Sequence, residues 1–386
     1  MTRLFRQNFN IPFTFPVLFT RDVVSPDNPG LAEVLAQAGP GPHRLALVLD
    51  QGVNRAFPEF AENFAHYLQR QGGWLDLAAP ALVVPGGEAA KAGFAVVNQV
   101  LELIERQGLC RQSFLLVVGG GAVLDAAGFA ASMAHRGVRL IRLPSTVLAQ
   151  NDAGVGVKNG VNWSGRKNFL GAFAPPFAVI NDFSLLRGLS VRDRRSGLSE
   201  AVKVALIRDR EFFLRLRALR HRLGALEPAA LEEAIERCAV LHLEHIASSG
   251  DPFEQGSSRP LDFGHWSAHA LEELSGFRLS HGEAVAIGVA LDSVYSWLAG
   301  LMPENDLNDV IEVLSDLGFS LWHPALDSLD VGSALEAFRQ HLGGRLLISL
   351  IAGPGARLEV DGLDAGVMGR ARDWLAATQG GGAQWT

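Results

Sequence analysis

Cysteine is scarce: Cys110 and Cys238 are the only two in 386 residues. They form no CxxC pair and no zinc-ribbon spacing, which excludes a disulfide scaffold and a cysteine-built zinc module. Both fall in apolar stretches with helical spacing, and both are expected to be buried free thiols. Long hydrophobic runs are missing too. No segment reaches the ~18 unbroken apolar residues of a membrane helix, so no membrane association is expected. The start of the chain carries Arg3 and Arg6 but no signal-peptide core, so the expected location is cytoplasmic. Positive charge is not in excess. A net charge of -7 excludes a chain whose partner is nucleic acid, because phosphate-backbone affinity comes from clustered Lys and Arg. There is also no internal repeat.

What remains is a folded globular chain, 48% hydrophobic and 19% charged, long enough for two domains. Four β-type runs stand out: Leu45 to Asp50, Phe114 to Val118, Val138 to Leu143 and Phe177 to Asn181. Between the first two, residues 61–71 and 93–107 repeat apolar residues at helical spacing. Strand, helix, strand in that order implies a parallel α/β sheet. Past Leu189 helical periodicity dominates, at 197–207, 228–249, 265–273 and 282–301. The expected organisation is an α/β nucleotide-binding domain over 1–188, a mostly α-helical metal-binding domain over 189–376, and a solvated tail over 377–386.

Three clusters carry chemistry. Gly119, Gly120 and Gly121 follow a strand directly and lead to Asp125. Such a turn lets backbone N–H groups approach a pyrophosphate at a helix start. It is not GxGxxG, since Leu124 takes the third glycine position, and a plain strand-to-helix turn has the same form. The second cluster is Glu200 with Lys203, three apart, then His265 with His269, four apart, and His281 at a helix start. One carboxylate and two imidazoles with an open position suit a catalytic zinc ion. Trp266 after the first His excludes a zincin protease, and scattered polar residues are the bland alternative. The third cluster is Asp152 to Lys158, followed by Lys167 and Asn168. With Arg136 it offers cations for a phosphate, or simply a solvated loop.

Together these pieces resemble the 3-dehydroquinate synthase family of sugar phosphate cyclases. The resemblance runs through Val84-Pro85-Gly86-Gly87-Glu88 with Lys91, the triple glycine with Asp125, and Arg136-Gly137. It continues through Leu143-Pro144-Ser145-Thr146 with Asp152 and Lys158, then Gly165-Arg166-Lys167-Asn168. Glu200-Ala-Val-Lys203, Asp262-Phe-Gly-His265 with His269, and His281-Gly282-Glu283-Ala284 complete it. The resemblance implies a homodimer, with the active site in a cleft between the two domains. Asp50, Glu88, Lys91, Gly119, Gly120, Gly121, Asp125, Ser145, Thr146, Lys158 and Lys167 match NAD-contacting positions. Glu200, His265 and His281 match the ligands of a divalent metal, zinc by donor type, with cobalt as the other candidate. Asp152, Lys158, Asn168, Lys203, Arg259, Asp262 and His269 match substrate-facing positions, and Arg136 one that reaches the substrate phosphate across the dimer.

The implied reaction oxidises a ring hydroxyl transiently, eliminates phosphate, returns the hydride and closes a carbocycle by aldol addition. Some positions depart from the family pattern. Asp262 replaces an asparagine, Ser258 stands where an arginine is expected with Arg259 one place later, and Glu244 replaces a lysine. Arg339 and Gln340 replace paired lysines, and Gly188 a threonine. The acidic replacements favour a ketose with an uncharged C1, such as sedoheptulose 7-phosphate, over a heptulosonate. A metal-dependent polyol dehydrogenase and a non-catalytic ligand binder remain as rivals.

Overall fold

The computed structural model describes residues 2–9, 11–249, 251–253, 260–342 and 344–379. Its first part is a seven-stranded sheet of β1 (Val17–Thr20), β2 (His43–Asp50), β3 (Leu75–Leu77), β4 (Leu82–Val84), β5 (Phe114–Gly119), β6 (Arg139–Pro144) and β9 (Ala178–Asp182). The order is β1-β9-β6-β5-β2-β3, with β4 also on β2, and every pairing is parallel. The four expected strands are there within two residues. The expectation missed β1, β3 and β4, which are three or four residues long and give little periodicity.

Alternation along the central strands explains the layering. On β2, Leu45, Leu47 and Leu49 face α1 (Gly30–Ala36), α2 (Gln51–Ala56) and α3 (Phe60–Gln69). Ala46 and Val48 face α4 (Ala95–Arg106) and α5 (Gly121–Met133) on the other side. From β2 the chain leaves towards β3 and β4, and from β5 it leaves the opposite way towards β6. This reversal opens a crevice at the carboxyl ends of β2 and β5, the place where open parallel sheets bind ligands.

Lys158, Lys167 and Asn168 of the third cluster fall on an antiparallel hairpin of β7 (Lys158–Trp163) and β8 (Arg166–Phe173). Helices then follow: α6 (Val191–Ser196), α7 (Leu198–Arg208), α8 (Arg210–Gly224), α9 (Pro228–Ser248), α10 (His265–Leu274), α11 (His281–Leu298), α12 (Glu304–Asp316) and α13 (Val331–His341). A hairpin of β10 (Ile348–Gly353) and β11 (Ala356–Val360) precedes α14 (Ala365–Gln379). Their shared core includes Val147 and Leu186 from the sheet region, so the two parts are in contact.

Two expectations need correction. Residues 377–379 belong to α14, because Leu375 and Met368 anchor that helix in the core; the rest of the expected tail, 380–386, lies outside the described residues. Cys238 is buried and free, but Cys110 is exposed, because α4 ends at Arg106 and the apolar face ends with it. Among the described residues, no helix is long and apolar enough to cross a membrane.

Candidate functional site in the cleft

Of the residues matched to NAD, Asp50, Gly119, Gly120, Gly121, Ser145 and Thr146 lie at the carboxyl ends of β2, β5 and β6. Asp50 ends β2 and caps α2, accepting from the Gly52 N–H at 2.6 Å. A Cβ on Gly86 would lie 2.5 Å from the Asp50 carboxylate, so only glycine lets these segments meet. Gly119 ends β5, and Gly120 is the N-cap of α5, with no side-chain cap and no acidic residue in the first turn. A 13-residue helix with its first N–H groups uncapped is set up for an anion. Side chains at Gly120 or Gly121 would come within 3.2 Å of Thr146 Cγ2 or Ala153 Cβ, so bare backbone lines the crevice here. Ser145 donates its backbone N–H to Gly119 O at 2.9 Å, tying β6 to the turn. These features fit a pyrophosphate-bearing cofactor.

A polar chain crosses from this crevice to the hairpin. The buried Lys91 ammonium pairs with Asp125 at 2.6 Å and donates to Asn168. Asn162 donates to Glu88 at 3.2 Å and accepts from the Asn168 N–H at 2.9 Å. Asn168 holds φ 52°, an unusual conformation for a side-chain-bearing residue, to present its amide to Lys91. Lys167, next to it, pairs with Glu272 of α10 at 2.9 Å.

The second set lies on α7, α10 and α11. Glu200 and Lys203 form a buried ion pair, one helical turn apart. Both Glu200 oxygens are sealed from solvent, and the Lys203 ammonium offsets part of their desolvation cost. Burial pushes this carboxyl up to about 7, with Lys203 opposing and Asp152 reinforcing. The His265 ring lies 5.6 Å from that of His269 and 5.5 Å from that of His281. Burial, with Lys203 and His281 nearby, holds His265 well below the usual histidine range, so its imidazole is neutral and able to ligate. Burial also lowers His281, but Glu272 outweighs it and the net shift is upward. A buried carboxylate, paired with a lysine, beside neutral imidazole is a donor set that fits zinc.

Donor atoms of His269, Glu272 and His281 come within 4.8 Å of one another. Glu200 and His265 are not part of that tighter group, and Glu272 was missed by sequence. Its signal was its place seven residues after His265 on the same helix face.

Other expected residues divide as follows. Asp152 sits on a π-helical turn, Ala149–Ala153, beside His242 at 3.3 Å. Lys158 and Lys203 both act on its charge, and Asp262 acts on Lys203. Arg136 is not brought in. It sits exposed past the far end of α5, roughly 20 Å from the glycine turn by helix rise. Arg259 lies outside the described residues. Glu244 is a correction: it is exposed and reaches Arg237 at 3.8 Å, not the cleft. Helical periodicity puts Cys238, Leu241 and His245 inward, which turns 244 away and His242 in.

Behind His265, the fully buried Asp292 of α11 accepts from Trp266 Nε1 at 3.0 Å and from the Gly264 N–H at 3.1 Å, fixing the start of α10. Burial pushes its carboxyl up to about 7, against those two hydrogen bonds. A raised folded-state value favours the fold below the unfolded value, and that contribution is lost as pH rises from about 4 through about 7. The cost at alkaline pH is at most about 4 kcal/mol. Asp292→Asn cannot ionise, and its NH2 faces a donor, a loss of about 1–3 kcal/mol. The variant is therefore expected to be the less stable protein at pH 5, with the gap narrowing or reversing by pH 8. Melting both proteins at the two values checks this, and a pH-independent gap contradicts it.

The sequence matches two family models, 3-dehydroquinate synthase N-terminal over residues 81–196 and 3-dehydroquinate synthase C-terminal over residues 197–341. A 3-dehydroquinate synthase of Pyrobaculum islandicum is 38% identical over 72% of this chain and 80% of its own length. A 2-epi-5-epi-valiolone synthase of Streptomyces glaucescens is 34% identical over 92% and 90%. Among solved structures, the 2-epi-5-epi-valiolone synthase ValA of Streptomyces hygroscopicus subsp. jinggangensis 5008, with NAD+ and Zn2+ bound, superposes with a TM-score of 0.86. It is 29% identical and covers 97% of this chain and 99% of its own. A parallel sheet with a glycine turn at its switch point, a helical part bearing the histidines, and these relatives agree, and the chain belongs to the 3-dehydroquinate synthase family of sugar phosphate cyclases.

Proposed function

We propose that the protein converts a phosphorylated seven-carbon ketose with an uncharged C1, such as sedoheptulose 7-phosphate, into a carbocycle with release of inorganic phosphate. It does so as a cytoplasmic homodimer with NAD and a divalent metal, zinc by donor type. The observation that carries the substrate choice is the crowding around Lys203. Its ammonium is already met by Glu200, Asp152 and Asp262. A C1 carboxylate would add a fourth negative charge to a buried cluster. Similarity to a 2-epi-5-epi-valiolone synthase across 92% of the chain supports the same reading. The displaced Glu244 contributes nothing to it.

Asp50, Glu88, Lys91, Gly119 to Gly121, Asp125, Ser145, Thr146 and Lys167 would hold NAD, and Glu200, His265 and His281 the metal. When bound, NAD supplies reversible hydride removal from a ring carbon, and the metal supplies Lewis-acid stabilisation of the oxygen there. This chain's own side chains do the rest. Lys203, kept charged by its three carboxylates, places a cation where negative charge develops on the sugar. Asp152 accepts a hydroxyl proton of the ring, and His269 orients the oxygen beside it. Lys158, at the open end of the hairpin, and Asn168, near its turn, hold the phosphate end, with Arg136 of a second copy closing over it. The Lys167–Glu272 bridge between hairpin and α10 keeps water out while the ring is open.

Steady-state comparison of sedoheptulose 7-phosphate with a heptulosonate 7-phosphate tests the proposal. The ketose is expected to have a kcat/KM at least ~100-fold higher, about 2.7 kcal/mol of discrimination. Efficient turnover of the heptulosonate and none of the ketose would reverse the substrate assignment. NADH accumulating without phosphate release would favour the polyol dehydrogenase.

A further inference from the structure

Helix α9 runs beside the cleft and sends one side chain into it. His242 has a side chain only 13% exposed, with Nδ1 3.3 Å from Asp152 Oδ1. Its Nε2 faces Gly156, where an added methyl would lie 3.8 Å away. The ring is thus seated between the π-helical turn that carries Asp152 and the stretch that leads to Lys158. The helix cannot roll to withdraw it. Cys238, Leu241 and His245 are buried on the same face, and Ala239 packs with Val155 and Val179 in a small cluster under that turn. Asp152 also sits in the field of His242 itself and of Lys203, Lys158 and His281, so its charge has supports besides the imidazole. Its carboxylate rides on a single π-helical turn, a form found mostly as one-turn features at functional sites.

We infer that His242 is a positioning residue for Asp152: it fastens the carboxylate of the Ala149–Ala153 turn in the orientation from which Asp152 meets the sugar, without touching the sugar itself. The inference rests on the proposed reading that Asp152 faces a sugar phosphate. It also goes beyond the family pattern, which led to a lysine at 244, whereas the inward group of α9 is this imidazole.

The test is a mutant cycle in the full-length, NAD- and metal-loaded protein, measured as phosphate release from sedoheptulose 7-phosphate. His242→Leu is expected to lower kcat about 30-fold with KM changed less than about threefold, the mark of misorientation and not of lost binding. His242→Asn, whose amide donor sits where Nδ1 does, should recover to within about fivefold of wild type. In an Asp152→Asn background, His242→Leu should cost less than about twofold more, since the residue it acts through is already changed. If that background leaves no measurable rate, rescue by Asn decides, and His242→Ala replaces a Leu variant that does not fold. Additive losses, or Asn no better than Leu, in an active wild type overturn the role of His242 alone. A wild type inert towards both the ketose and the heptulosonate overturns the functional reading and this role together.

Discussion

Glu200→Gln is expected to purify with less than about a tenth of the wild-type metal and to lose turnover by at least ~1000-fold. Replacing an outer hydrogen-bond partner of a metal ligand already costs 10–100-fold in affinity, and Glu200 is proposed as a ligand itself. Its two oxygens are sealed from solvent with the Lys203 ammonium against one of them, and a bound metal would balance their burial further. The amide is neutral and nearly isosteric, so the fold should survive. The comparison that decides the ligand set is Glu272→Gln. With metal on Glu200, His265 and His281, Glu272 is not a ligand but orients His281 through the 3.4 Å contact to Nδ1 and holds Lys167, and its loss is the milder one for metal content. With metal on His269, Glu272 and His281, whose donor atoms converge within 4.8 Å, the ranking inverts. Metal content of the two purified variants, measured side by side without chelator, distinguishes these outcomes.

Lys203→Ala should lower kcat by a factor of about 100–1000, roughly 3–4 kcal/mol of lost electrostatic stabilisation. Lys158→Ala should do the same from the phosphate side. Lys203 is the costlier change for the fold, because removing one partner of a buried pair leaves the other uncompensated, about 3–5 kcal/mol without metal. With metal on Glu200 that penalty shrinks, so the variant should melt near wild type when loaded and clearly lower when stripped. A loaded, folded Lys203→Ala protein with near-wild-type turnover would remove Lys203 from the mechanism.

The same two residues illustrate how much was legible beforehand. Glu200 and Lys203 are three apart in a helical pattern, so a shared face followed from sequence alone. His265 and His269 followed in the same way, as did the glycines after a continuous apolar strand. Each is a local pattern, written within one turn of helix or one strand-to-helix junction. The short strands β1, β3 and β4 left no such pattern, because three or four residues do not establish a period.

The family spacing also misled on α9. The family pattern set Glu244 in the site, but 244 lies on the outward side of α9, and a shift of two residues turns a helical side chain by about 200°. The buried face of α9 put His242 there instead.

By itself the sequence determined the local chemistry: an anion-receptive glycine turn, a Glu–Lys pair, a histidine pair on one helix face, and the two-part α/β and α-helical organisation. These depend on neighbours a few residues apart, whose relative directions the backbone period dictates. Only the tertiary structure decided which of them meet. It joined Lys167 to Glu272 across 105 residues and set Asp152 beside His242 from another helix. It also sent Arg136 to the far end of α5 and the Glu244 carboxylate out to solvent. Such meetings are settled by which apolar faces must be buried against one another, a property of the packed chain and not of any segment within it.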